Sequence, residues 1–260
     1  MKTKIYQVDA FTEKIFGGNP AAVCLLNEWL LDELMQKIGL ENNLSETAFV
    51  VKRDDHFDIR WFTPTVEVDL CGHATQASAH VIFNYTDYKK DVIEFESKSG
   101  KLLVRKENDF LILNFPTDKL TEIGIPNDLV EALGDKPVKA FKGRSDHLLV
   151  FETQEQIENI KPDFGKLAAA DSRGIIITAK GNDCDFVSRF FAPQSGINED
   201  PVTGSAHTTL TPYWSGRFGK TELTAMQLSI RKGHLRCKNL GDRTEIGGKA
   251  VTYLIGEIEV

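Results

Sequence analysis

Hydrophobic and polar positions alternate with a period of two along much of the chain, and each alternating run predicts a strand. In the first half these runs are Lys4–Asp9, Ala21–Leu25, Thr47–Lys52, Phe57–Phe62, Val92–Phe95, Leu102–Lys106 and Phe110–Phe115. In the second half they are Leu148–Glu152, Gly174–Thr178, Asp185–Phe191, Thr224–Ile230, Leu235–Asn239 and Val251–Glu257. A helical period marks Glu28–Ile38, with Trp29, Leu30, Leu34 and Ile38 on one face and Gly39 as its stop. Gly72–Tyr85 reads differently. Ala74, Ala77, Ala79, Val81, Ile82 and Phe83 leave it small or apolar on nearly all sides, which predicts a helix buried all round. Gly204 opens a similar run, which Pro212 is expected to kink or end.

The pattern occurs twice. Arg60-Trp61-Phe62-Thr63-Pro64, then Cys71-Gly72-His73-Ala74-Thr75, matches Arg189-Phe190-Phe191-Ala192-Pro193, then Thr203-Gly204-Ser205-Ala206-His207. Upstream, Leu44 to Val50 corresponds to Asp171 to Ile177, and Gly17-Gly18-Asn19-Pro20 to Gly143-Arg144-Ser145-Asp146. Four matches in one order predict an internal duplication. Each half then wraps a sheet around its own central helix. The expected domains are 1–118 and 119–260, with Lys119–Asn127 as linker and the last strand free to cross to the first domain.

Composition narrows the function classes. The chain has 260 residues and a net charge of −7, the wrong sign for a phosphate-binding surface. No apolar run is long enough to span a bilayer, and the N-terminus lacks the plan of a signal peptide. The expectations are therefore no nucleic acid, no membrane and a cytoplasmic location; a homodimer is carried as the candidate assembly, which composition does not decide. Cys24, Cys71, Cys184 and Cys237 are scattered, which in a reducing compartment predicts free thiols. There is no dinucleotide or phosphate-binding glycine loop, no zinc spacing and no serine nucleophile elbow, so no cofactor or metal is expected.

The candidate chemistry lies at the two helix openings. Each central helix starts at a glycine, where unpaired N–H groups and the positive end of the dipole suit an anion such as a carboxylate. The plainer alternative is that Gly72 and Gly204 are turn positions. His73 follows the first opening and Asp200 precedes the second. Glu46 sits in the otherwise apolar run Leu44 to Val51. A carboxyl among apolar neighbours has its charged form disfavoured, which suits a group that takes and returns a proton. Alternatively, Glu46 caps a strand end or pairs with Arg60.

The pieces together resemble the phenazine-biosynthesis, PhzF-like family. They are Val8-Asp9-Ala10-Phe11, Gly17 to Val23, Leu44-Ser45-Glu46-Thr47-Ala48-Phe49, Arg60 to Pro64, Leu70 to Thr75, Glu199-Asp200-Pro201-Val202-Thr203-Gly204-Ser205-Ala206-His207, and Gly247-Gly248. The resemblance implies an α+β fold of the diaminopimelate epimerase type: two similar domains, each a barrel-like sheet around a central helix, with the site in the cleft between them. It implies a cofactor-independent isomerase that moves a proton between carbons of a small carboxylated substrate. Glu46, His73 and Asp200 take the catalytic positions. Ser45, Cys71, Gly72, Thr203, Gly204 and Ser205 are expected to contact substrate. Related thiol racemases carry a Cys before both helix openings. Here the second position is Thr203, whose hydroxyl is far too weak a base to replace a thiolate. Two alternatives remain: an inactive binding protein on the same fold, and a Cys71-dependent racemase or epimerase.

Overall fold

The structure, a computed structural model, describes residues 2–260, so Met1 of the expected N-terminal domain lies outside the described residues. Contacts divide the chain into two compact units. One runs to Asn114 and resumes over Gly247–Val260; the other is Phe115–Ile246. Among the described residues no helix is long and apolar enough to cross a membrane.

In the first unit, β1 (Lys2–Ala10) lies antiparallel to β2 (Asn19–Leu26), and β2 lies parallel to β3 (Glu46–Lys52). The parallel pair needs a crossover, which α1 (Asp32–Asn42) supplies. β3 runs antiparallel to β4 (Phe57–Phe62), with the short β5 (Glu67–Val68) beside it. A second crossover, α2 (Gly72–Tyr85), leads to β6 (Val92–Ser97), parallel to β4. Antiparallel pairings then add β7 (Gly100–Glu107) and β8 (Phe110–Pro116). The C-terminal strand Ala250–Glu259 pairs antiparallel with β1. As its composition predicts, α2 is buried on all sides, with His73 to Ala79, Val81 and Ile82 inside.

The second unit repeats this order. It contains β9 (Thr121–Ile123), α3 (Asn127–Leu133), β10 (Lys139–Lys142) and β11 (Asp146–Val150). These are followed by α4 (Gln154–Asn159), α5 (Phe164–Ala168), β12 (Gly174–Lys180) and β13 (Phe186–Phe191). The chain continues with α6 (Gly204–Phe218), β14 (Glu222–Gln227), β15 (Gly233–Asn239) and β16 (Arg243–Gly248), whose last two residues belong to the first unit. From β10 to β15 the pairings alternate antiparallel, parallel, antiparallel, parallel, antiparallel. That is the sequence of pairings from β1 to β7 if β5 is set aside, and the central helix falls at the same place in both. Two copies of one pattern account for the matching motifs.

Three expectations are corrected. Lys119–Asn127 is not a bare linker, because β9 lies within it and α3 begins at its end. α1 starts at Asp32, where Asp32 and Glu33 complement the helix dipole, and ends at Asn43 in the left-handed conformation. Gly39 is thus inside α1 rather than its stop. Its role is close approach: a Cβ there would lie 3.2 Å from Phe62 Cβ and 3.2 Å from the Thr63 carbonyl oxygen. Finally, Pro212 neither ends nor interrupts α6. Proline cannot donate to the carbonyl four residues earlier, that of Thr208, and the Asp118 N–H donates to it instead at 3.2 Å.

Gly39→Ala tests the close-approach reading. Alanine gains about 1 kcal/mol of helix propensity. Overpacking against a Cβ and a backbone carbonyl costs about 1–3 kcal/mol, so the denaturant midpoint is expected to fall. A raised midpoint would return Gly39 to an ordinary helix position.

Candidate active site

In the first unit the ends of β2 and β3 and the start of α2 bring three side chains together. Glu46 is the first residue of β3 and is paired in register with Ala21 of β2. His73 is the second residue of α2, and Cys71 caps that helix without a side-chain hydrogen bond. His73 Nε2 lies 3.0 Å from Glu46 Oε2, with the two side chains only 7% and 13% exposed. The contact is an ion pair by distance and is not aligned as a hydrogen bond. Cys71 Sγ is 3.6 Å from His73 Nδ1 and 3.9 Å from Nε2. The Asn19 amide, at the start of β2, reaches His73 Nδ1 at 3.2 Å. Arg60 does not pair with Glu46. It is engaged by Glu67 and Asp32 and lies over the Phe62 and Trp29 rings. Ser45 is half-buried just ahead of β3.

Burial and charge set the protonation states here. Burial, backed by the Glu46 charge, pushes the Cys71 thiol up to about 11, and His73 does not offset it. Burial alone would lower His73, but the Cys71 and Glu46 groups beside it win and its pKa stands well above the ordinary imidazole value. Because the Cys71 thiol is neutral at pH 7, the Glu46 carboxylate is the partner that counts. A thiol held this high is a poor nucleophile. Cys71 is therefore expected to resist iodoacetamide at neutral pH while the protein stays folded, as peptide mass spectrometry would show. Rapid alkylation would revive the thiol-racemase alternative.

The second unit carries its own cluster at the start of α6. Asp200 is buried and its Oδ2 accepts the Thr203 hydroxyl. Thr203 is the N-cap, yet its hydroxyl is spent on Asp200 and does not cap the helix. The fully buried Gln227 accepts the Thr203 N–H at 2.8 Å and donates to the Asp200 carbonyl at 2.8 Å. Gly204 is buried as the first helical residue. Ser205 Oγ accepts from Arg173 Nη2 at 3.2 Å, and Arg173 also binds Asp146 through both carboxylate oxygens. The loop before α6 is anchored by Arg189, which holds both oxygens of Glu199 and two backbone carbonyls, those of Ile157 and Ile160. Asp200, Thr203, Gly204 and Ser205 thus lie together in this unit, as Glu46, Cys71, Gly72 and His73 do in the other.

His207, one turn into α6, is buried and uses Nδ1 on the Thr203 carbonyl at 2.8 Å. Burial lowers its pKa to about 4. An unfolded chain binds this proton below about pH 6.5 while the folded one does not, so stability falls as pH drops toward 4. The loss from this one group is about 3 kcal/mol. His207→Gln is expected to show a shallower acid dependence between pH 7 and 4.5 in denaturant titrations. An identical slope would contradict the assignment.

Sequence reasoning missed four supporting residues. Asn19 lay in the quoted Gly-Gly-Asn-Pro motif, where its polar side chain at a strand start was the available signal. Arg173 and Asp146 stood in the matched upstream segments, but nothing there indicated their pairing. Gln227 had no local signal, since its partners are 24 and 27 residues away.

A buried carboxylate–imidazole pair stands beside a helix start without a side-chain cap, on a duplicated sheet-and-helix fold, a setting that suits an isomerase. Comparison with known proteins agrees. The family model described as "Phenazine biosynthesis-like protein" matches residues 8–256. An uncharacterised isomerase of Pseudomonas aeruginosa is 49% identical over 260 residues, covering all of both chains. The crystal structure of a PhzF-family protein from Enterococcus faecalis is 47% identical and superposes with a TM-score of 0.98, covering all of both chains. A hydroxyproline epimerase from Agrobacterium vitis shares the fold alone, with 11% identity and a TM-score of 0.64 over 99% of this chain and 92% of that one. The chain belongs to the phenazine biosynthesis-like family.

Proposed function

We propose that this protein isomerises a small carboxylated metabolite without a cofactor, by moving a proton between two of its carbons, with Glu46 as the proton carrier. The observation that carries this reading is the buried Glu46–His73 pair, 3.0 Å apart, at the opening of α2. The Glu46 carboxylate takes the proton from one carbon. The electrons of that C–H bond shift an adjacent double bond along the substrate, and Glu46 returns the proton at the far end. Atoms and charge balance, and no oxidant is involved. His73, held at Nδ1 by Asn19, stands against the carboxyl and orients it. In the second unit Asp200, oriented by Thr203 and Gln227, is proposed as the further proton-sharing group. Ser45, Gly72, Gly204 and Ser205 are proposed to bind the substrate. Neither helix start has a side-chain cap, which leaves N–H groups suited to a carboxylate.

The test is incubation of chelator-treated protein in deuterated water with a panel of cyclic and amino-acid-like carboxylates, followed by proton NMR. Isomerisation, or loss of a carbon-bound proton signal, is expected for at least one class. Binding without either outcome across the panel would make the chain a binding protein on this fold.

A further inference from the structure

Sequence spacing shows no metal signature, yet folding gathers one carboxylate, one thiol and one imidazole. One ligand atom each from Glu46, Cys71 and His73 lies within 4.8 Å of the others. We infer that these three side chains form a binding site for a zinc-type divalent cation, which silences the proton carrier when it is occupied. Only the silencing rests on the reading of Glu46 as that carrier; the binding does not.

The donor set points to zinc. Thiolate and imidazole favour a borderline-soft ion, whereas magnesium and calcium take oxygen ligands. The spacing is close to what a tetrahedral ion requires. Ordinary zinc bond lengths place neighbouring N and O ligands about 3.4 Å apart and N and S ligands about 3.6 Å apart. The structure has 3.0 Å from His73 Nε2 to Glu46 Oε2 and 3.9 Å from Nε2 to Cys71 Sγ. For these two pairs, side-chain shifts of a few tenths of an ångström close the difference; the third pair, Glu46 and Cys71, lies within 4.8 Å. The outer partner is also in place. Asn19 faces Nδ1, and with its amide oxygen turned toward the ring it accepts Nδ1–H and leaves Nε2 for the metal. Three protein ligands with an open fourth position is a common zinc arrangement.

The thiol is otherwise unexplained. The proton shift proposed above uses Glu46 and His73 and gives Cys71 no task. At the matching opening in the second unit the equivalent position is Thr203, so the cluster occurs at only one of the two helix starts. Binding is balanced as a ligand exchange. One zinc ion enters, the Cys71 thiol proton and the Nε2 proton of the imidazolium leave to solvent, and no electrons are transferred. A carboxylate bound to zinc can no longer accept a proton from carbon.

The test begins with protein dialysed against a chelator. Zinc chloride is then titrated calorimetrically against wild type, Cys71→Ser and the control Cys184→Ser. One site per chain is expected in wild type and in the control. Cys71→Ser should weaken it by at least about 10–100-fold, the loss that even an outer partner of a metal can cause. Cobalt(II) gives an independent readout on the unmutated chain: a thiolate-to-metal charge-transfer band that zinc abolishes. No saturable binding, no such band, or equal affinity in Cys71→Ser would overturn the site. Zinc binding that leaves proton exchange unchanged would overturn the silencing. Failure of the functional reading is separately visible: metal-free Glu46→Gln would then exchange protons normally, whatever zinc does.

Discussion

Arg189→Met is expected to destabilise the protein by about 3–5 kcal/mol, the usual cost of removing one partner from a buried ion pair. Arg189 is 12% exposed and Glu199 21%. The guanidinium donates to both Glu199 oxygens and to the carbonyls of Ile157 and Ile160, and it lies over the Phe191 ring at 4.9 Å. Methionine fills much of the volume but strands a carboxylate and two carbonyls at once. The first unit repeats the device, with Arg60 over Phe62 and bidentate to Glu67. In each unit this pair ties a sheet strand to the segment that precedes the central helix, which in the first unit is β5. Arg189→Met/Glu199→Leu should recover a good part of the loss, because the orphaned charge is gone. Denaturant titrations of the wild type, both single variants and the double variant measure this. A single-variant loss below about 1 kcal/mol would show that solvent already screens the pair.

Most of the strands and both central helices were legible because burial writes directly onto sequence; β5, β9, β10 and β16 were not. β4 has the predicted bounds, and α2 runs from Gly72 to Tyr85 as its small or apolar residues on nearly all sides predict. The start of α6 was legible for the same reason, but its persistence past Pro212 was not. That depends on an N–H from Asp118, more than ninety residues away in sequence. β10 is four residues with a lysine at each end, too short and too charged for a two-residue period to show. The predicted strand over Thr224–Ile230 stops at Gln227, and Ile230 is exposed, so an apolar residue there was a misleading signal. At the site, motif order indicated Glu46, His73 and Asp200 singly. The choice between His73 and Arg60 as partner of Glu46 needed coordinates, because it turns on Glu67 and Asp32 having claimed the arginine. Cys71 could be read as a helix-opening residue, but its approach to both ring nitrogens of His73 could not.

Glu46→Gln is expected to slow proton transfer by about a hundred- to ten-thousand-fold while leaving the fold intact. Glutamine preserves the shape and can still hydrogen-bond, but it cannot take a proton from carbon and return it. Loss of an ordinary strand-end carboxylate would leave the rate unchanged. The carboxylate sits in a buried setting, with His73 at 3.0 Å and apolar β3 behind it. The variant should melt close to wild type and retain affinity for the carboxylated substrate, which separates a chemical role from a structural one.

The most direct measurement places wild type and Glu46→Gln side by side, both chelator-treated, with the substrate class that responds in the panel. Isomerisation and carbon–hydrogen exchange are followed together by NMR in deuterated water. The account predicts turnover in the wild type and a loss of at least about a hundredfold in the folded, substrate-binding variant. A Glu46→Gln protein that isomerises at near-normal rate would contradict it and shift the proton carrier to Asp200 or His73.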